Sequence, residues 1–388
     1  MKTICNAGIL ALGLTLLGCK TPQTMSVESA QQAFYLGTYT TKLGHVDGKA
    51  KGISLWSFDT ESGALKKKAG PWPIVNPSHL CTSPDGRYLY SISETSDYEG
   101  REDGYLTTFK IESGTGELRE LDTISSQGVG PAYVSLDQSG RYLFSANYVA
   151  GNIVVYPRNR NGTLGEPTAN IQHTGSSINP DRQEAPHPHS ILASPDNQFV
   201  LVADLGLDQI KVYSFDESDG TLEARPTLDT EVPGGAGPRH LAFHPSGKYV
   251  YLTLEMSSQV AAYQYQDGKL TLIDIYSTLP PRFSGSSSNA EIRITSNGRF
   301  LYASNRGHDS IAAFKIDVAS GELSFLQTIS TQGKTPRNFG IVPGDAFLVA
   351  GNQDSHTMLS YHIDPEKGTL RPTGKRIASP SPVLFHFP

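Results

Sequence analysis

The fold is decided by the stretch PRHLAFHPSGKYVYLTL, residues 238–254, which contains two strands joined by a tight turn. A proline begins a short apolar run, the run ends in a Pro-Ser-Gly turn, and an aromatic and β-branched strand follows. Proline fixes φ and glycine accepts the left-handed conformation, so this order of residues suits a hairpin. The same arrangement recurs along the chain. Its first residues are Pro77, Pro131, Pro188, Pro238, Ala290, Pro336 and Pro382.

A second signal repeats in phase with the first and predicts the number of units. Gly-x-Leu followed by a polar, strand-like stretch recurs at intervals of about fifty residues, the spacing of propeller blades. The glycines are Gly63, Gly116, Gly162, Gly220, Gly268, Gly321 and Gly368. Four strands in each of seven units are typical of a β-propeller. An α/β fold is disfavoured because no long stretch of the chain keeps a helical period.

The two ends of the chain predict how the ring closes. The last repeat, residues 382–387, has no second strand after it, whereas strand-like stretches at residues 33–38 and 52–58 lack a first strand. We therefore predict an all-β fold, a seven-bladed β-propeller over residues 33–388 with four antiparallel strands per blade. The C-terminal strand is expected to pair with the N-terminal blade, which leaves no free sheet edge at the seam.

The first residues predict export and a lipid anchor. Lys2 precedes an apolar run at residues 7–17, which is shorter than the roughly 20 residues of a membrane-spanning helix. The ending Leu-Leu-Gly-Cys resembles a bacterial lipobox, which predicts acylation of Cys19. Residues 1–19 are then a lipoprotein signal peptide and residues 20–32 a flexible tether. An ordinary signal peptide that contains a cysteine is the alternative. We expect the cell envelope, with membrane contact through the anchor only.

Composition excludes several classes of partner. The chain has three cysteines, and only Cys81 lies outside the leader, so the folded part cannot contain an intrachain disulfide. The net charge is −6 and no basic block occurs, which disfavours nucleic acid. Two histidines two residues apart, His187 and His189, without nearby cysteines are a weak metal signal. We expect no cofactor, no metal and a monomer.

Two positions in each unit are expected to meet at one mouth of the central channel, namely the start of the first strand and the end of the second. A site suits this place because side chains converge there from all blades. The first position gives Ser78, Ala132, His189, Arg239, Glu291, Arg337 and Val383. The second gives Glu94, Tyr148, Leu205, Glu255, Arg306, Gln353 and Tyr39. The charged members come mainly from the third to sixth units. The long connection before His189 adds Arg182, Gln183 and His187. A solvated polar rim is the alternative.

Several segments resemble the seven-bladed lactonase family, which includes the propeller-type 6-phosphogluconolactonases and the fungal carboxymuconate lactonizing enzyme. They are RQEAPHPHS (182–190), DLG (204–206), GPRH (237–240), EMSS (255–258), AEI (290–292), SNRG (304–307) and PRNF (336–339). The resemblance implies hydrolysis of a sugar-type lactone to the hydroxy acid. By motif it places the active-site set on His189, Arg239 and Glu255, with Arg306 as the second arginine and Arg337 in reserve. Relatives of the sugar-phosphate type are cytoplasmic, so the export signal leaves phosphorylation of the substrate open.

The predicted chemistry assigns a role to each of these residues. Glu255 or a neutral His189 deprotonates water, and Arg239 and Arg306 stabilise the oxyanion or bind an anionic substituent. Arg182, His187 and Arg337 are expected to bind substrate. No serine nucleophile elbow or Walker loop occurs, which disfavours acyl-enzyme and nucleotide chemistry. Two other functions stay open, a carboxymuconate-type cycloisomerase and a non-enzymatic binding propeller of the cell envelope.

Overall fold

The regular structure consists of strands. The computed structural model describes Met1 and residues 31–388, and these residues contain no helix. No segment among them forms a helix able to cross a membrane. Cys19, the predicted signal peptide and most of the predicted tether lie outside the described residues. The first strand begins at Gln31, two residues before the predicted start of the domain.

The strands follow one another along the chain with short connections. In chain order they are β1 (Gln31–Thr38), β2 (Lys42–Leu43), β3 (Val46–Asp47), β4 (Ile53–Asp59), β5 (Leu65–Trp72), β6 (Leu80–Thr82), β7 (Tyr88–Ser93), β8 (Tyr105–Ile111), β9 (Leu118–Ser125), β10 (Pro131–Leu136), β11 (Tyr142–Asn147), β12 (Asn152–Pro157), β13 (Ala169–Gln172), β14 (Pro188–Ala193), β15 (Phe199–Asp204), β16 (Gln209–Asp216), β17 (Thr221–Ala224), β18 (Thr230–Glu231), β19 (Pro238–Phe243), β20 (Tyr249–Leu254), β21 (Gln259–Gln266), β22 (Lys269–Ser277), β23 (Ser288–Ile294), β24 (Phe300–Arg306), β25 (Ser310–Ile316), β26 (Leu323–Ser330), β27 (Asn338–Ile341), β28 (Phe347–Asn352), β29 (Thr357–Ile363), β30 (Leu370–Ala378) and β31 (Pro382–His386).

These strands form seven antiparallel sheets, which are the blades. Blades 1 to 6 are β6–β9, β10–β13, β14–β17, β19–β22, β23–β26 and β27–β30, and blade 7 has the order β31-β1-β4-β5. The short β18 pairs with β16 in blade 3, and β2 and β3 form a separate hairpin. The first strands of neighbouring blades contact one another around the ring. The predicted seven-bladed propeller with four antiparallel strands per blade is confirmed.

Blade 7 joins the two ends of the chain, as predicted. Tyr35 pairs with His386 and Gly37 with Leu384, in antiparallel register. The ring of Phe34 lies 5.6 Å from that of Phe385, centroid to centroid, which adds packing to the backbone pairing. The seam therefore has both a hydrogen-bonded ladder and an apolar core.

The recurring glycine has a packing role between blades. Gly321 has φ +78°, and a Cβ built on it would lie 2.4 Å from a ring carbon of Tyr249 in the preceding blade. Its carbonyl accepts a hydrogen bond from the hydroxyl of Tyr251 in that blade, at 2.9 Å. Gly368 repeats both contacts with Phe300 and Tyr302. In these blades the glycine lets an aromatic ring of one blade lie against the outer turn of the next, whereas Gly63 and Gly116 lie against Thr373 and Leu55.

A shift in strand register directs side chains toward the channel mouth. In blade 3 Pro188 pairs with Asp204 and Ser190 with Ala203, which leaves His189 as the extra residue of a β-bulge. The first strands of blades 2, 4 and 5 shift at the same place. A bulge bends the strand and turns the side chain out of its regular alternation. The inner strands of blades 2, 3 and 4 therefore present their second residues, Ala132, His189 and Arg239, at the mouth. In blade 5 the predicted Glu291 instead lies beside His240 and Arg293.

Candidate active site

A cavity of about 370 Å³ opens at the channel mouth and collects most of the predicted site residues. It is lined by His45, Glu94, Ala132, Tyr148, Val149, Arg182, His189, Glu255, Arg306 and Arg337. A narrow space below it is lined by Ser78, His79, Glu94, Ala132, His189, Arg239, His240, Arg337, Asn338 and Val383. Blades far apart in sequence thus contribute to one site, as the sequence predicted. Six residues predicted at the mouth line neither space: Tyr39, Gln183, His187, Leu205, Glu291 and Gln353.

A larger groove of about 670 Å³ lies at the outer side of blade 1. Tyr98, Tyr105 and Glu120 line it, and its wall contains no arginine or histidine. Lactone opening requires a base together with donors for an oxyanion, and the side-chain donors of this wall are uncharged hydroxyls. We therefore place the chemistry at the channel mouth, although the cavity there is smaller.

Glu255 is the centre of a charged cluster. Its Oε1 accepts a hydrogen bond from Nη2 of Arg182 at 2.8 Å. Its Oε2 lies 2.9 Å from Nε of Arg239 and 2.9 Å from Nη2 of Arg306. Burial alone raises the pKa of Glu255, but the surrounding arginines outweigh it and hold the pKa well below its usual value. The carboxylate is ionised, and both its oxygens face cations.

Arg239 and Arg306 are fixed by backbone carbonyls as well as by Glu255. Nη1 of Arg239 donates to the carbonyl of Ala290 at 2.6 Å, and Nη2 of Arg306 donates to that of Asn289 at 2.6 Å. Burial, followed by repulsion from Arg337 and Arg306, lowers the pKa of Arg239 to about 9. The guanidinium therefore stays charged at neutral pH, and its orientation is set before any substrate binds.

His189 is a neutral imidazole in the wall between the two spaces. Its Nδ1 is buried and has no hydrogen-bond partner among the described residues. The ring makes edge contacts with Tyr148 and His240, at centroid distances of 5.4 and 5.1 Å. Burial, followed by the charge of Arg239, holds the pKa of His189 well below its usual value. An imidazole in this state exchanges hydrogen bonds with a ligand without carrying charge.

His187 lies behind the cavity wall. Its ring stacks on Tyr148 at 4.5 Å, and its Nδ1 lies 2.8 Å from the carbonyl oxygen of the same tyrosine. Its backbone N–H donates to Oδ1 of Asp204, whose Oδ2 lies 2.6 Å from Nδ1 of His173. The sequence predicted that His187 binds substrate directly. In the structure His187 contacts Tyr148 and does not line the cavity. Tyr148 is the residue that faces the ligand space.

The loop that carries Arg182 is held to blade 3. Ser177 donates to Oδ2 of Asp208 at 2.6 Å, and the side-chain amide of Gln183 donates to the carbonyl of Leu205 at 2.9 Å. Gln183 is fully buried, so it anchors the loop and does not reach the cavity. The loop holds Arg182 beside Glu255, where the long connection was predicted to deliver it.

The opposite wall contains a second carboxylate, Glu94. Its Oε2 accepts hydrogen bonds from the hydroxyls of Tyr39, at 2.7 Å, and Ser78, at 2.6 Å. Nε2 of His45 lies 3.8 Å from Oε1. The sequence placed Glu94 and Tyr39 at the mouth but gave their units no role. His45 was missed because the β2–β3 hairpin interrupts the repeat. The match between Glu94 and Glu255 in repeat position was the signal for the second carboxylate.

Arg337 stands between the two walls. Its guanidinium carbon lies 5.3 Å from the centroid of the Tyr39 ring. Burial lowers the pKa of Arg337, but the nearby Tyr39, Glu94 and Glu255 outweigh burial and raise it. Within residues 31–388 its guanidinium group forms no ion pair and no hydrogen bond. Among the arginines of the described cavity wall, it is the one whose donors are all free for a ligand.

The comparisons with known proteins agree with this fold. The profile of the family described as "Lactonase, 7-bladed beta-propeller" matches residues 33–387. The chain belongs to this lactonase family. A family relative from Bacillus subtilis, named 6-phosphogluconolactonase, is 36% identical over 355 residues, which is 91% of this chain and 97% of that protein. A Formosa agariphila protein of the same name is 32% identical over 87% of this chain and 94% of its own length.

A solved structure of the family gives the same picture. The Pseudomonas aeruginosa periplasmic gluconolactonase, PpgL, superposes with a TM-score of 0.85 at 32% sequence identity. The match covers 92% of this chain and 99% of that chain. The lactonase family therefore includes relatives named for both a phosphorylated and an unphosphorylated sugar lactone.

Proposed function

We propose that this protein hydrolyses a sugar lactone to the corresponding hydroxy acid. The observation that carries the proposal is the cavity at the channel mouth, which brings two carboxylates, a neutral imidazole and several arginines together. Its volume of about 370 Å³ suits a single sugar ring. The names of the 6-phosphogluconolactonase and gluconolactonase relatives support the same class of substrate.

The arginines provide stabilisation of the negative charge that develops on the lactone carbonyl oxygen. Arg239 and Arg306 are held by Glu255 and by backbone carbonyls, so they need no reorganisation during the reaction. Fixed donors in a buried site stabilise an oxyanion more strongly than water does. Glu255 acts by keeping these cations charged and oriented.

The proposed substrate contacts follow from the cavity wall. Arg182 and Arg337 bind the sugar or its anionic substituent, and Tyr148, supported by His187, packs against the ring. Neutral His189 hydrogen-bonds to the reacting group. The cations of the wall outnumber Glu94 and Glu255, which favours a lactone with a negative substituent. Both the phosphorylated and the unphosphorylated sugar lactone are candidates.

The test is acid release by the purified protein from a panel of glucono-lactones, with and without a 6-phosphate, and from muconates. Hydrolysis incorporates one oxygen atom from ¹⁸O-water into the product carboxylate. Isomerisation without water uptake would show the cycloisomerase instead. Binding without turnover of any compound would indicate a binding propeller.

We also propose that the protein is exported and held at the cell envelope through a lipid on Cys19. The support is the lipobox-like sequence, together with a relative described as periplasmic. Labelling of cells with a palmitate analogue should mark the wild-type protein and not Cys19→Ser. An unlabelled wild-type protein would leave export without an anchor.

A monomer is proposed because all the groups of the cavity come from one chain. Light scattering of the purified protein should give the mass of a single chain. A stable dimer would contradict this part of the proposal.

A further inference from the structure

Lactone hydrolysis needs a base for the attacking water, and neither of the two groups expected from the sequence is well suited. Both oxygens of Glu255 face guanidinium groups, at 2.8 and 2.9 Å. A carboxylate clamped by cations holds a proton weakly. His189 is neutral, but its burial beside Arg239 also disfavours proton uptake. The described cavity wall contains two other acceptors, the carboxylate Glu94 and His45, and burial followed by Arg337 disfavours proton uptake by His45.

Glu94 has one oxygen engaged and one available. Oε2 accepts the hydroxyl protons of Tyr39 and Ser78, so these contacts fix the carboxylate plane. Oε1 has no hydrogen bond within residues 31–388, and its nearest cationic candidate is Nε2 of His45 at 3.8 Å. A carboxylate needs one free oxygen within reach of the water that it deprotonates. Glu94 meets this condition and Glu255 does not.

Four side chains surround the carboxylate of Glu94, and they come from blades 1, 6 and 7 and from the β2–β3 hairpin. Tyr39 and the hairpin residue His45 lie on one side, Ser78 lies just before the first strand of blade 1, and the guanidinium of Arg337 lies over the ring of Tyr39. Burial, followed by Arg337, lowers the pKa of His45 to about 4, so this imidazole is neutral at neutral pH. No arginine lies within ion-pair distance of Glu94 in the described part of the chain. Arg337 is near enough to orient a ligand between the walls.

We propose that Glu94 is the general base of the hydrolysis and that the lactone lies between the Glu94 wall and the Glu255 wall. This inference rests on the proposed lactone hydrolysis. Oε1 takes a proton from water as the water oxygen bonds to the lactone carbonyl carbon. The carbonyl electron pair moves to oxygen, beside the arginines. When the intermediate collapses, the ring C–O bond breaks and Glu94 returns its proton to the leaving oxygen, which becomes the hydroxyl of the product.

The first test compares Glu94→Gln with the wild-type protein on glucono-lactone and its 6-phosphate. Gln keeps the shape and the hydrogen-bond acceptor but not the base, so kcat should fall by about 100-fold or more, the usual effect of removing a general base. KM should change by a few-fold at most. The matched control is Glu99→Gln, an exposed carboxylate on the loop that follows, which should keep the wild-type rate.

A second test keeps the proposal falsifiable if Glu94→Gln does not fold. Glu94→Ala removes the carboxylate, and added formate should restore part of its kcat in a saturable way, because a small carboxylate can enter the vacated space. A merely structural role of Glu94 would give no such rescue. Thermal unfolding of each variant shows whether the protein is folded in the assay.

The outcomes separate this inference from the proposed function. An active wild-type protein with a folded Glu94→Gln variant within tenfold of its kcat would overturn Glu94 as the base and leave lactone hydrolysis standing. Formate rescue of Glu94→Ala would support the assignment even where Gln folds poorly. A wild-type protein inactive on every lactone would overturn the proposed function, and the inference with it.

Discussion

Glu94 and Glu255 occupy the same position in two blades, yet the structure gives them different chemistry. Each directly follows the second strand of its blade, β7 in one case and β20 in the other. Glu255 faces three guanidinium groups, whereas Glu94 faces two hydroxyls and a neutral imidazole. Each glutamate has one neighbour from its own blade, Arg239 or Ser78, and the others come from another blade and from a connection outside the repeat. The neighbours of Glu255 therefore make it an anchor for cations, whereas those of Glu94 leave it able to act as a base.

The largest expected difference between the two walls is in stability. Glu255→Gln leaves Arg239, which is 2% exposed, beside Arg306 without its counter-charge. Breaking a buried ion pair from one side costs about 3–5 kcal/mol of unfolding free energy. Glu94→Gln keeps an oxygen that accepts the hydroxyl hydrogen bonds but loses the negative charge that strengthens them. This should lower the unfolding free energy by about 1 kcal/mol. Urea unfolding at neutral pH measures both, and equal losses would contradict the contrast between the walls.

The second expected effect is on turnover through Arg239. Arg239→Lys keeps the charge but loses the planar group that contacts both Glu255 and the Ala290 carbonyl. We expect kcat to fall by about 100-fold, as when an oxyanion donor is removed. Arg225→Lys, in an exposed pair with Glu223, is the control. A kcat for Arg239→Lys within a few-fold of wild type would remove Arg239 from the catalytic group.

A smaller effect is expected on the choice of substrate through Arg337. This arginine has donors free for a ligand, whereas Arg306 is engaged by Glu255 and Asn289. In Arg337→Ala we expect KM for a phosphorylated glucono-lactone to rise about tenfold relative to the unphosphorylated one, since a charge-assisted hydrogen bond is lost. Steady-state kinetics on the two substrates give this ratio. An unchanged ratio would mean that Arg337 does not bind the anionic substituent.

The smallest expected effect concerns the pH dependence of stability. The buried histidines and the carboxylates change the unfolding free energy in different pH ranges. Burial holds the pKa values of His79 and His240 well below the usual value, so each stays neutral in the folded protein. As pH falls below about 6.5 the unfolded chain takes up protons that the folded protein does not, and stability falls by up to about 1.4 kcal/mol per pH unit and histidine. His79→Gln should reduce this slope by roughly one histidine's share.

Glu255 titrates in a different window. Its folded pKa is depressed, so its contribution to stability is complete above the unfolded value of about 4.3 and is lost only as pH falls below it. Glu255→Gln should therefore keep the wild-type slope between pH about 6.5 and 5. Unfolding free energies measured across this range check both variants, and a flat wild-type profile would contradict the neutral histidines.

Much of the fold was predictable because a propeller repeats its local chemistry. The turn beginning at His244 and the glycine of each outer hairpin, such as Gly321, recur because every blade meets its neighbour in the same way. The closure of blade 7 followed from counting strands at the two ends. The sequence also placed a group of charged residues at one mouth, where the structure has them: Arg182, His189, Glu255, Arg306 and Arg337.

The roles within the site were not predictable in the same way. The sequence placed His189 at the mouth, but only the structure shows that burial and the charge of Arg239, from the next blade, disfavour its protonation. His187 belongs to the same sequence motif as His189, but it stacks on Tyr148 and does not line the cavity. His45 comes from a hairpin outside the repeat, so no counting of units finds it. These outcomes depend on which side chains from different blades meet, and sequence spacing does not fix that.

The sequence by itself determined the number of blades, the pairing of the two ends and most of the charged residues at the channel mouth. These depend on local turn chemistry and on a repeat period, which are properties of short segments. Only the tertiary structure decided that Glu255 is surrounded by cations while Glu94 keeps a free oxygen. The basicity of a carboxylate is set by charges and hydrogen bonds within a few ångströms, and here several of those come from other blades or from connections between blades.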